Sequence, residues 1–330
     1  MNFNNKSGFL SLCYHYIRSS HDEKEFPRIL GTSVSEFENH ILMFKKNFEI
    51  ISPQNALSFS YGDYTIKKNN IGLLLTFDDG LSDHFLTAKI LSKHGIKAVF
   101  FIPTCILEDD LPANPVIVHY CIAKFGLANF LISLNNLLQK YVNNFQEFLI
   151  TFEPGLDDPF KIITQIKNLF RYRLEPEVSR KILVTIFKKM FEDKFSNALE
   201  IMHLTKIQIS EILKMGHSIG SHTRSHISIG SKKLSNEQFN YEIVEPKKFL
   251  EKTFGTNIEL MSFPFGGEAD CLSLKDIRTI PKYYKMTFTL REILNEKTTS
   301  PFELGRYMPT SLDSASSLNK KMYGIVNGIE

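Results

Sequence analysis

The sequence predicts an α/β fold: one barrel-like domain on a largely parallel sheet, interrupted by a helical insertion at about residues 111–200. Three observations carry this. Strand-like and helix-like segments alternate over most of the 330 residues, the pattern of βα units. Ile71 to Phe77 is nearly continuous in apolar residues, as expected of a strand buried on both faces. The alternation pauses only between about Leu111 and Glu200, where amphipathic helical patterns replace it.

Phe9 to Tyr16 reads as the first strand. Ser33, with Glu36 three residues on, resembles a capping box, and Phe37, Ile41 and Phe44 follow at helical spacing. Phe48 to Ser52 reads as a strand, then Ile71 to Phe77. Ser82 to His94 reads as a helix closed by Gly95. Lys97 to Pro103 is the next strand. After the insertion come a helix (Thr205 to Met215), a strand (His217 to Ser221), a helix (Ser235 to Phe254) and a strand (Ile258 to Pro264). Lys285 to Leu290 and Leu304 to Met308 are expected as the last strands.

The length suits one barrel with an insertion. Acids and bases nearly balance at a formal charge of +3, which gives no general case for nucleic acid. Cys13, Cys105, Cys121 and Cys271 form no C-x-x-C pair, which disfavours a zinc knuckle or dithiol redox site. The N-terminal stretch is a poor signal peptide, and no apolar run approaches the roughly 18 residues of a membrane span. A reduced, cytoplasmic setting is the expectation.

Chemistry in such a fold belongs at the C-terminal strand ends. Three are unusually polar: Asp78-Asp79 followed by Gly80; Ser221-His222 running to His226; and Ser262 to Gly267. Two imidazoles and one carboxylate form a common ligand set for a catalytic divalent metal. A second carboxylate beside the first can take a proton from water. Adjacent acids at a strand end point to opposite sides, so one can hold a cation while the other serves as base. Asp-Asp-Gly alone is also a good turn, and His-x-x-x-His alone fits surface or core histidines. The two at separate strand ends are much harder to dismiss together.

At these residues the sequence resembles the polysaccharide deacetylases, carbohydrate esterase family four. "TFDDG" (Thr76 to Gly80) is similar to the family's first motif, "SHTRSH" (Ser221 to His226) to its second, and "SFPFG" stands in the position of the third. The resemblance spans about residues 71–107 and 200–310. It implies a distorted (β/α) barrel of about seven strands, with Asp79, His222 and His226 on a divalent metal, usually zinc. It implies Asp78 as catalytic base, Pro264, Phe265 and Gly266 against the substrate, and the Phe265 N–H as oxyanion donor. The reaction implied is hydrolysis of an acyl group, usually acetyl, from a sugar.

Two departures stand out. The third motif usually begins with Arg, and here that position is Ser262. The family's C-terminal histidine, the general acid, has no counterpart, since no histidine follows His226. Two substitutes offer themselves. His15 lies in a Tyr-His near the N-terminus, like that of exopolysaccharide N-deacetylases with permuted motifs; a buried strand histidine is the alternative. Arg306 in "LGRYMP" can orient Asp78, or form an ordinary surface pair. His84, His94 and His119 read as structural or groove residues, and Asp83 as a polar contact or a helix N-terminal acid. Phe125, Phe130, Phe145 and Phe148 read as helix core. Glu268 and Asp270 read as sugar contacts or a solvated loop.

The function expected is a metal-dependent sugar N-deacetylase acting on an acetylated sugar or glycan intermediate, nucleotide- or lipid-linked, of surface-glycan assembly. A deformylase or O-deacetylase is the near variant. A catalytically silent sugar-binding homologue is the alternative from another class.

Overall fold

A computed structural model describes residues 6–67, 70–192, 197–232, 234–271 and 278–329. In chain order the strands are β1 (Phe9–Tyr14), β2 (Ile17–Arg18), β3 (Thr32–Ser33), β4 (Glu49–Ile50), β5 (Gly72–Phe77), β6 (Val99–Ile102), β7 (Ser218–Ser221), β8 (Leu260–Ser262) and β9 (Met286–Phe288). β2 and β3 pair with each other. The other seven form one parallel sheet, ordered β1-β5-β6-β7-β8-β9 with β4 against β5. It curls into the distorted barrel that the resemblance implies.

The barrel closes without a last regular strand. Residues 304–307 thread between β9 and β1. Leu304 N–H donates to Thr287 O (3.1 Å), and Thr289 N–H to Leu304 O (2.8 Å). On the other side Tyr307 N–H donates to Ser11 O (2.9 Å), and Cys13 N–H to Tyr307 O (2.8 Å). The strand expected at Leu304–Met308 is therefore reduced to single bridges. The cause is Asn295, fully buried, whose side-chain amide takes both the Gly305 N–H (2.8 Å) and the Gly305 carbonyl (2.9 Å) that a ladder would use.

Alternation along β5 divides the core. Leu73, Leu75 and Phe77 face the surrounding helices, and Leu74 faces inward. The inner cluster is apolar at the N-terminal strand ends, with Phe9, Leu74, Val99, Leu260, Met286 and Leu304, and the helix Pro53–Ser60 adds Ala56 and Phe59 to it. Phe101 fills the centre, which explains Gly220 on β7: a Cβ there would lie 2.5 Å from the Phe101 ring. Toward the C-terminal ends the buried residues turn polar: Thr76, Asp78, Ser262 and Arg306.

Helices form where their signals stand. Ser33 caps the helix Val34–Asn47 by accepting from Glu36 N–H. The box is half-made, because the Glu36 carboxylate instead accepts from Ala315 N–H at the start of the C-terminal helix (2.6 Å). Between β6 and β7 the chain is helical, with helices at Asn114–Phe125, Leu127–Tyr141, Pro159–Asn168 and Pro176–Phe187. Phe130 is fully buried and Phe125 stacks edge-on to Phe191, the helix-core role expected of them. Among the described residues, no helix is long and apolar enough to cross a membrane.

Asp83, at the start of the helix Asp83–Lys93, is buried against Arg18 of β2 (3.5 Å). Burial, opposed by Arg18 and aided by Asp22, pushes its carboxyl up to about 7. A carboxyl raised on folding binds a proton that the unfolded chain has released, so its contribution to stability is lost as pH rises from about 4 through about 7. Asp83→Asn is therefore expected to gain melting temperature relative to wild type between pH 5 and pH 8. An unchanged gap would make Asp83 an ordinary ionised helix-start acid.

Candidate metal and hydrolytic centre

The paired carboxylates part company at the end of β5. Asp78 continues the strand, its N–H donating to Tyr14 O (3.0 Å). Asp79 has φ +75° and Gly80 +55°, so the chain turns sharply and sends the second carboxylate elsewhere. His203 braces this turn with Nδ1 close to the carbonyls of Asp79 (3.1 Å) and Gly80 (3.2 Å).

Asp78 meets Arg306. The guanidinium grips it in two parallel bonds, Nη1 to Oδ1 and Nη2 to Oδ2, each 2.8 Å. The remaining donors reach Thr76 Oγ1 (2.9 Å), Ser262 Oγ (2.6 Å) and Thr289 O (3.1 Å). All five N–H groups of this buried arginine are thereby used. Ser262 Oγ (3.0 Å) and Cys13 Sγ (3.3 Å) also donate to Asp78 Oδ2. Burial by itself would raise the Asp78 carboxyl; Arg306, with His222, overrides it and holds the group well below the usual carboxylate range. Ser262 thus shares the Asp78 contact with an arginine that arrives from the closing segment.

Asp79 faces two histidines. Its Oδ1 lies 3.0 Å from His226 Nε2 and 3.3 Å from His222 Nε2. His222 Nδ1 donates to Ser262 O (2.9 Å), so in the neutral ring its Nε2 presents a lone pair to a carboxylate oxygen. That oxygen is buried and has no hydrogen-bond partner. Two facing acceptors need a proton or a cation between them. The three ligand atoms lie within 4.8 Å of one another. Ligands about 2.0–2.1 Å from a tetrahedral ion stand roughly 3.3 Å apart, so this donor set fits a divalent metal. Burial pushes the Asp79 carboxyl up, and His226 and His222 outweigh it, leaving it well below the ordinary range.

His15 points to the mouth. Its ring is 30% exposed, with Nε2 4.0 Å from Asp79 Oδ2, and its carbonyl is held by His84 Nε2 (2.9 Å). Burial lowers its pKa, against the pull of Asp79 and Asp78. Phe265 also faces the mouth, edge-on to His226 at 4.7 Å, with φ +64°. Pro264 is buried, and Gly266 is packed on Leu290, whose N–H donates to its carbonyl (2.7 Å). Of the three third-motif residues, Phe265 lines the cavity.

Other sequence candidates have different partners. Asp270 is fully buried and takes a two-bond grip from Arg171 of the insertion, plus Ser228 Oγ (2.6 Å). It is neither a sugar contact nor a solvated residue. Glu268 is exposed. His119 Nδ1 pairs with Tyr16 OH (3.1 Å) at the cavity wall. Cys13 and His203 escaped the sequence reading: one is a lone cysteine in an apolar strand, the other a lone histidine at the end of the insertion.

The polysaccharide deacetylase family model matches residues 185–287, which include both histidines and the third motif but not the paired aspartates. None of the curated proteins compared with the chain matches it. Among solved structures, the Streptococcus pyogenes deacetylase PplD in complex with acetate is 16% identical, with a TM-score of 0.59 over 96% of this chain and 98% of that one. A de-N-acetylase from Aggregatibacter actinomycetemcomitans is 15% identical (TM-score 0.56; 95% and 99% covered). IcaB from Ammonifex degensii is 14% identical (TM-score 0.55; 97% and 98% covered). These likenesses show the fold, and with the family match they bear out the resemblance carried by the motifs.

Two outcomes are expected. Asp79→Ala or His222→Ala should cost most of the bound metal in elemental analysis, whereas Asp78→Asn should stay loaded; full loading of the first two would remove them from the ligand set. Arg306→Met should lower unfolding free energy in urea by about 3–5 kcal/mol, because it leaves Asp78 buried and unpaired. A loss under about 1 kcal/mol would mean that the pair is dispensable.

Proposed function

We propose that this chain is a metal-dependent sugar N-deacetylase, acting on a nucleotide- or lipid-linked intermediate of surface-glycan assembly. The observation that carries the reading is the division of labour at the strand end. Asp78 is fixed and ionised by Arg306, while Asp79 turns away to the two histidines.

A divalent metal, zinc being the first choice for this nitrogen and oxygen set, supplies Lewis acidity to water and to the acyl carbonyl. The protein's own groups do the rest. Asp78 accepts the proton of the attacking water from a fixed position; its Oδ2 lies 4.0 Å from His222 Nε2. The grip of Arg306 favours orientation over basicity. The Phe265 N–H makes no hydrogen bond among the described residues and supports a role as oxyanion donor. His15, at the mouth, gives a proton from Nε2 to the departing nitrogen.

The missing third-motif arginine and the missing C-terminal histidine favour a silent sugar-binding protein. Arg306 against Asp78 and His15 at the mouth supply those side chains, which supports the enzyme. The same residues serve formyl groups and O-acetyl esters, so the panel below includes both.

The test is acid release from nucleotide-linked, lipid-linked and free N-acetyl, N-formyl and O-acetyl sugars, with chelator and with added zinc. Metal-dependent acetate from an N-acetyl sugar is expected, with kcat lowered about 10²–10⁴-fold in Asp78→Asn. Wild-type turnover by Asp78→Asn removes the base assignment. Release from esters alone replaces the N-deacetylase with an O-deacetylase.

A further inference from the structure

The insertion and the barrel mouth enclose a cavity of about 620 Å³ with Asp79, His15 and His226 at its floor. Its walls are of a different character. Val118, Ile122, Ile163, Phe170 and Leu183 line it from the insertion helices. The lip is apolar and wet: Leu30, Phe160 and Met308 line the same cavity and are 63%, 70% and 42% exposed. Polar side chains line the cavity too, among them Tyr16, Asn114, His119, Ser179 and Thr310, but the five insertion side chains carry no polar atom, so a hydroxyl-rich sugar chain laid on them leaves oxygens unpartnered. A hydrocarbon chain gains from covering those five.

The cavity also holds cations, in two states. Arg171 is spent on Asp270, and Lys232 donates to the carbonyls of Leu174 and Tyr172. Arg28 and Lys167 line the cavity and make no hydrogen bond or ion pair among the described residues. Both are exposed, and Lys167 also feels the charge of Asp79; two cations free of hydrogen bonds beside apolar walls suit an anion carried on an apolar group.

We propose that the substrate is amphiphilic: an acylated sugar joined through phosphate to a hydrocarbon chain, with the chain on the insertion's apolar wall and lip and the phosphate met by Arg28 and Lys167. This deepens the deacetylase reading and rests on it for the acyl-sugar end. It selects the lipid-linked substrate over the nucleotide-linked one, because a nucleoside laid on those five apolar side chains leaves its polar edges unpartnered.

The experiment measures binding rather than turnover. Full-length, metal-loaded Asp78→Asn protein is titrated calorimetrically with farnesyl phosphate–N-acetylglucosamine below its micelle concentration, with UDP-N-acetylglucosamine, and with chitotetraose. The farnesyl compound is expected to bind at least about tenfold more tightly than either other ligand. Leu30→Asp with Phe160→Asp, both at exposed positions, should weaken the farnesyl compound about tenfold and leave the nucleotide sugar unchanged. Arg28→Glu with Lys167→Glu should weaken it as well. Equal or tighter binding of UDP-N-acetylglucosamine or chitotetraose overturns the proposal, as does no heat with the farnesyl compound. Acetate appearing during the titration would count against the role of Asp78 and leave the lipid preference standing. Tight farnesyl binding beside an inactive wild-type enzyme would remove the deacetylase and keep the amphiphile.

Discussion

The bidentate pair between Arg306 and Asp78 is the constraint on which the rest of the centre depends. An isolated carboxylate at this depth would take up a proton or unfold its surroundings. The guanidinium keeps it charged, and its five donors are all satisfied inside the barrel. The pair also ties the closing segment to β5 and, through Ser262, to β8. The irregular closure is therefore part of the site. A regular strand would need the Gly305 backbone groups that Asn295 holds, and Arg306 sits on that segment.

The second constraint is backbone strain. Six non-glycine residues among those described have positive φ, and four of them, Asp79, Thr223, His226 and Phe265, stand at the centre. Each such conformation costs on the order of 1–3 kcal/mol and persists where its surroundings over-determine it. The supports are visible. His203 holds the Asp79 turn, Thr223 Oγ1 accepts from His226 N–H (3.1 Å), and buried Glu242 accepts from Ser225 N–H (3.0 Å). The strained turns help bring the Asp79, His222 and His226 side chains together, and a cation bound there would offset the repulsion of their lone pairs.

Much of this was legible in the sequence, for physical reasons. Doubly buried parallel strands write continuous apolar runs, so β5 and the acids ending it stand out. The helices declare themselves by caps and spacing, as at Ser33. The Asp-Asp-Gly and His-x-x-x-His stretches carry specific chemistry at separate strand ends. Legibility failed where a role depends on tertiary approach. Nothing local distinguishes Arg306 from a surface arginine; what decides is its place between β9 and β1. Asp270 read as a loop residue because its partner, Arg171, lies 99 positions away. The strand expected at Leu304–Met308 has the right residues, but one buried asparagine takes its ladder bonds.

The most direct test of the central claim is the ionisation of Asp78 itself. The carbon-13 carboxyl shift of Asp78, assigned by comparison with Asp78→Asn, can be followed from pH 6 to pH 3 while circular dichroism confirms that the protein stays folded. An ordinary aspartate, with a pKa of about 3.9, is largely protonated at pH 3. In the wild-type protein the shift is expected to stay at the ionised value throughout, and in Arg306→Met to titrate upward of that range. An inflection near or above the ordinary value in the wild-type protein would contradict this, because Arg306 would then not be holding Asp78 ionised.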